Sequence, residues 1–72
     1  MNLEECTKDK LWPTLVEAVH GNVMYPTHKS YTRDVILREQ PDISAEELSS
    51  KLNMPLGEAL VILQELVEQN KQ

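Results

Sequence analysis

Cys6, His20 and His28 are the side chains of this sequence best suited to hold a transition metal. Zinc ligands come in closely spaced pairs, and these three match none of those spacings, with no fourth ligand suggested. His20 has a simpler use at the end of a helix, where positive charge suits the dipole. Ser44 with Glu47 could pair a hydroxyl with a base, but their spacing is that of a helix capping box, and no His stands near them in sequence. Asp42, Glu46 and Glu47 crowd the same helix start, where carboxylates are electrostatically favoured. The sequence holds no phosphate loop, nucleophile motif or paired-carboxylate signature. A chain of 72 residues also leaves little room for a ligand pocket. We therefore expect no enzyme, no cofactor and no metal.

Phosphate chemistry needs cations. Lys29 and Arg33 are four apart and share a helix face if a helix begins early there, and Arg38 and His28 add to them. Asp34 and Glu39 lie among these residues, and mixed charge is the ordinary surface of an exposed helix. The net charge is −5, carried mostly by the second half: residues 1–41 sum to −1 and residues 42–72 to −4. An acidic half repels nucleic acid. The single Cys6 excludes an internal disulfide and suits a reduced, cytoplasmic setting. No apolar run approaches a membrane span, and the mixed-charge N-terminus lacks the apolar core of a signal peptide.

These side chains must be positioned by helices. Trp12, Leu15, Val16 and Val19 recur at helical spacing, with Pro13 in the first turn and Gly21 following. That predicts a helix over about Trp12–His20. Residues 1–11 read as polar and flexible, with room for a short helix carrying Leu3 and Cys6. Val23-Met24-Tyr25 reads as a short strand or extended connection before Pro26, and Thr27 to Ser30 as loop. Ser30 or Thr32 then caps a helix over about Tyr31–Glu39, with Tyr31, Val35 and Ile36 inward, Leu37 at the flank, and Pro41 as its stop. Ser44 and Glu47 open the next helix, whose inward residues are Ala45, Leu48 and Leu52. Asn53-Met54 breaks the chain, and Pro55 starts a last helix running to about Gln69. Gly57 weakens that helix near its start. The whole reads as one all-α or mostly α domain.

The pattern Ala45-Glu46-Glu47-Leu48, Leu52, Asn53-Met54, Ala59, Leu63 and Leu66 resembles the helix-turn-helix core of winged-helix domains, over about residues 30–70. The resemblance implies a three-helix core to which Trp12–His20 is an addition. It departs from the family twice. A wing should follow the third helix, and only Asn70, Lys71 and Gln72 remain. Either the wing is lost or Val23–Tyr25 supplies a substitute strand. The helix that reads DNA in the family carries no Lys or Arg here between Met54 and Asn70, and at its outward positions offers Glu58, Val61, Gln64, Glu65 and Glu68 instead.

Helical arithmetic gives that last helix another reading. With Ala59, Leu63 and Leu66 inward, Val61 points nearly the opposite way and Leu60 lies about a quarter turn off, near Val67. Leu60-Val61-Ile62 cannot be wholly inward in an isolated three-helix unit. Three readings follow: the Trp12–His20 helix covers Leu56, Leu60 and Val67; the patch meets a partner or a second copy; or the helix reads DNA despite its charge. The expected function is a non-catalytic interaction module that binds a protein partner or itself through Leu56, Leu60, Val61, Gln64 and Val67. The alternative is a dimeric DNA-binding regulator using Lys29, Arg33 and Arg38.

Overall fold

The computed structural model describes residues 8–69. Among them are four helices and no strand. Helix α1 is Trp12–His20. Helix α2 is a continuous run of three pieces: Tyr25–Tyr31, a π turn over Thr32–Ile36, and Leu37–Glu39. Helix α3 is Ala45–Leu52 and helix α4 is Leu56–Gln69. The expected short helix with Leu3 and Cys6 lies outside the described residues. Residues 8–11 form turns, in which the Asp9 carboxylate accepts from the Leu11 N–H at 2.8 Å just ahead of α1.

The ends of α1, α3 and α4 follow local chemistry. Pro13 sits in the first turn of α1, where a missing N–H leaves nothing unsatisfied. Ser44 caps α3 with the full box: its hydroxyl accepts the Glu47 N–H at 3.1 Å, while Glu47 accepts the Ser44 N–H at 3.4 Å. Asn53 ends α3 in the left-handed region, with φ 54°. Asparagine tolerates that conformation because its short polar side chain bonds locally. Pro55 stands one position before α4, and its carbonyl accepts from Glu58 and Ala59.

The start of α2 corrects the sequence reading. Val23–Tyr25 is no strand and Thr27–Ser30 is no loop, since α2 begins at Tyr25 with Pro26 in its first turn. Proline excludes helix before it more strongly than after it, so Pro26 starts a helix where the sequence was read as an extended segment and a loop. Neither Ser30 nor Thr32 caps the helix. Thr32 is fully buried within it, and its hydroxyl donates to the His28 carbonyl at 2.7 Å. Tyr31, expected inward, is 46% exposed. The face turned to the core carries Tyr25, His28, Lys29, Thr32 and Ile36, which succeed one another at helical spacing.

Helix α4 runs through the middle of the molecule and packs against α1, α2 and α3. Ala59, Ile62, Leu63 and Leu66 join Ile36, Ile43, Ala45, Leu48 and Met54 in the main core, as expected for Ala45, Leu48, Ala59, Leu63 and Leu66. Trp12, Leu37, Leu52 and Leu56 pack at its margin. The run Leu60-Val61-Ile62 is wholly covered, because the molecule is not an isolated three-helix unit. Leu60 retains 7% of its surface, and Val61 and Ile62 none. The reason is that α4 is wrapped on the side opposite Ala59 as well. Helix α1 approaches at Gly57, where a Cβ would stand 2.9 Å from Leu15 Cδ1, and α2 approaches at Glu58 and Glu65.

Candidate functional site

The structure gathers polar side chains where α1 and α2 meet α4. Two carboxylates of α4 organise them. Glu58 and Glu65 are seven residues apart, hence on one face of the helix.

Glu58 is only 2% exposed. Its Oε1 accepts from Asn22 Nδ2 at 3.0 Å, and its Oε2 contacts His28 Nδ1 within hydrogen-bond range. Asn22 also fixes the turn between α1 and α2. Its Oδ1 accepts the Met24 N–H at 2.8 Å, and its main chain bonds Val19 on one side and Tyr25 on the other. One buried carboxyl thus ties the α1–α2 turn, the first turns of α2 and the start of α4 together. A buried carboxyl is tolerated only when paired and hydrogen-bonded, and among the described residues no buried side-chain nitrogen or oxygen lacks a partner.

Glu65 stands nearer the surface. Its Oε2 lies 2.6 Å from His20 Nε2; its Oε1 accepts from the Tyr25 hydroxyl and lies 3.3 Å from Lys29 Nζ. Lys29 Nζ also donates to the Tyr25 oxygen at 3.2 Å, and the His20 and Tyr25 rings lie 4.9 Å apart. Burial pushes the Glu65 carboxyl up, but hydrogen bonds from Tyr25 and His20 and the Lys29 charge outweigh it and hold the group below its ordinary value. Burial raises Tyr25, and its hydrogen bond to Glu65 adds to that. Burial pulls Lys29 down, yet its bonds to Tyr25 and Glu65 leave it above the ordinary lysine value.

This arrangement is a set of struts. Each carboxylate oxygen is matched to partners on α1, on α2 or in the turn between them, and no group of three or more His, Cys, Asp or Glu able to hold a metal occurs among the described residues. His20 and His28 attach to different carboxylates, while Cys6 lies outside the described residues.

The cations expected to form one basic side are separated. Lys29 turns inward to Glu65. Arg33 points outward and is held by its neighbour Asp34 at 2.9 Å, while Arg38 is exposed further along α2. Of the residues expected to form a contact surface, Leu60 and Val61 lie beneath other helices. Leu56 and Gln64 keep partial exposure, and Val67 is 46% exposed. These three lie in the same sector of α4 as the buried Leu60, roughly 60–140° from Ala59 at about 100° per residue.

Sequence reasoning placed Glu58 and Glu65 on the outside of α4 and so missed the network. The signal that could have found it is Tyr25, His28, Lys29 and Thr32 at helical spacing, matching a second polar stripe on α4. No helix among the described residues is long and apolar enough to cross a membrane. No family model, curated protein or solved structure matches the chain.

Proposed function

We propose that the chain is a non-catalytic interaction module of helix-turn-helix type, which binds a protein partner or itself through the side chains of α4 that keep some exposure, Leu56, Gln64 and Val67. The observation that carries this reading is Val67, an apolar side chain 46% exposed on a helix that packs against three others. Leu56 and Gln64 extend the same sector with partly exposed side chains. The capped α3, the left-handed break at Asn53 and the long α4 supply the helix pair that such a module presents. The titratable side chains that converge inside the molecule serve as inter-helix ties, which suits a scaffold better than a reaction centre.

A photo-crosslinking residue at position 67 tests the reading in cells. A discrete adduct is expected from position 67 and none from position 46 on α3, and its mass distinguishes a second copy from another protein. No adduct from position 67, or equal adducts from both positions, would sink the proposal.

A further inference from the structure

Helix α2 turns two unlike stretches inward in succession. Tyr25, His28 and Lys29 meet the carboxylates of α4, Thr32 is fully buried, and Ile36 and Leu37 pack on the apolar core. A regular α-helix could not present both. Counted from Thr32 at about 100° per residue, Ile36 lies roughly 40° away and stays inward, but Leu37 lies roughly 140° away and Glu39 only about 20°. Leu37 would then face water and Glu39 the core. The opposite is found: Leu37 is partly buried against the core, while Arg38 and Glu39 are exposed.

The π turn over Thr32–Ile36 accounts for the difference. The Leu37 N–H donates to the Thr32 carbonyl, five residues back instead of four. Such a turn holds one residue more than an α turn, so whatever follows it is rotated back by about one residue's step, roughly 100°. Leu37 then comes to roughly 40° from Thr32 and Glu39 to roughly 120°, as their burial requires. The ordinary α bond resumes directly afterwards, where the Gln40 N–H donates to the Ile36 carbonyl at 2.8 Å. The surplus sits at Arg33 and Asp34, the exposed members of the turn. Their side chains form a two-pronged pair, Nε to Oδ1 at 2.9 Å and Nη2 to Oδ2 at 3.2 Å. Sequence neighbours do not face each other on an α-helix, so the pair marks where α2 departs from that form.

We infer that α2 carries one residue more than an α-helix needs, and that the π turn is the register device by which one continuous helix closes both the polar and the apolar layer against α4. Deleting one residue at position 33 or 34 removes the need for the turn. On a regular helix shortened in this way, Ile36, Leu37 and Glu39 fall roughly 60°, 40° and 120° from Thr32, which is inward, inward and outward as before. Nothing in this register depends on what the exposed side chains of α4 bind.

Urea unfolding of the chain with Asp34 deleted tests it, followed by helical ellipticity. The shortened chain should fold, with an unfolding equilibrium constant no more than ~10-fold above the parent's. Deleting Arg33 should give the same result, and Asp34→Ala measures the loss of the ion pair alone. Gln64 is the control: α4 is a regular α-helix, so its deletion rotates the last turns by about 100° and should raise the constant at least ~100-fold. Leu37→Ala should raise the constant in the parent and, within about threefold, by the same factor in the chain lacking Asp34, because Leu37 is seated in both. Deletions at 33 and 34 that are both as damaging as the one at 64 overturn the proposal. So does a Leu37→Ala substitution that is silent in the parent, which would put Leu37 on the outside as a regular helix does.

Discussion

Glu65 shows at the residue scale how one side chain can set the pH range of a fold. Its folded-state affinity for protons is below the ordinary glutamate value, despite the burial that opposes this. A group shifted down stabilises the fold above its unfolded pKa, and that contribution is lost as pH falls through the folded pKa. Tyr25 and Lys29 are shifted up, so their contributions are complete below their ordinary values and are lost as pH rises through the folded ones. The cluster therefore holds α1 and α2 to α4 most firmly across the neutral range. We predict that the urea midpoint falls on acidification below the ordinary carboxylate range, and again on alkalinisation beyond the ordinary tyrosine and lysine range. Glu65→Gln should lower the neutral midpoint and flatten both limbs. A mutant with the parent's acid limb would show that Glu65 does not set it. None of this was legible residue by residue. A glutamate on a helix reads as solvated until the two helices opposite are seen to bring His20, and Tyr25 with Lys29, to it.

At the scale of elements, what the sequence revealed depends on how local the cause is. The limits of α1 and the Ser44–Glu47 cap were readable because a stripe and a capping box act within a few residues. The start of α2 was not. Its inward face is polar, so an apolar-period reading found the stripe only from Tyr31 onward and took Thr27–Ser30 for loop. The burial of Val61 was unreadable for a related reason: helical arithmetic locates directions but does not say how many helices occupy them. Gly57 illustrates the difference. In sequence it weakens α4; in the fold it lets α1 approach, with Leu15 Cδ1 2.9 Å from where a Cβ would stand. The clashing atom is the tip of a flexible side chain, so Gly57→Ala should change stability by less than about 1 kcal/mol, helix propensity offsetting the shift of Leu15. Gly57→Leu should cost roughly 1–3 kcal/mol by forcing α1 away, and Leu15→Ala should recover part of it. Equilibrium urea unfolding of the four chains reads this directly. A Gly57→Leu chain as stable as the parent would place α1 elsewhere.

For the whole molecule, the decisive feature is that α4 has two interiors. One is apolar, shared with α3 and the end of α2; the other is polar at Glu58 and Glu65 and closes under α1 and the first turns of α2. A domain this small has little stability to spare, so separating either layer should expose enough surface to undo the other. Helix α1 is the critical case. It is nine residues long, too short to persist alone in water, and it holds its shape through contacts with α4. Trp12 reports on that contact, because it packs at the margin of the main core and is the only tryptophan. If the two layers form one cooperative unit, Trp12 fluorescence and helical ellipticity must follow the same urea transition, with equal midpoints and slopes. Were α1 an appendage to a self-sufficient three-helix core, fluorescence would change at lower urea while most ellipticity remained. Coincident curves are expected, and Glu58→Ala should move both by the same amount, since Glu58 is buried in the junction shared by α1, α2 and α4. Curves that separate in the parent would refute the two-interior account, because they would show α4 stably covered from one side alone.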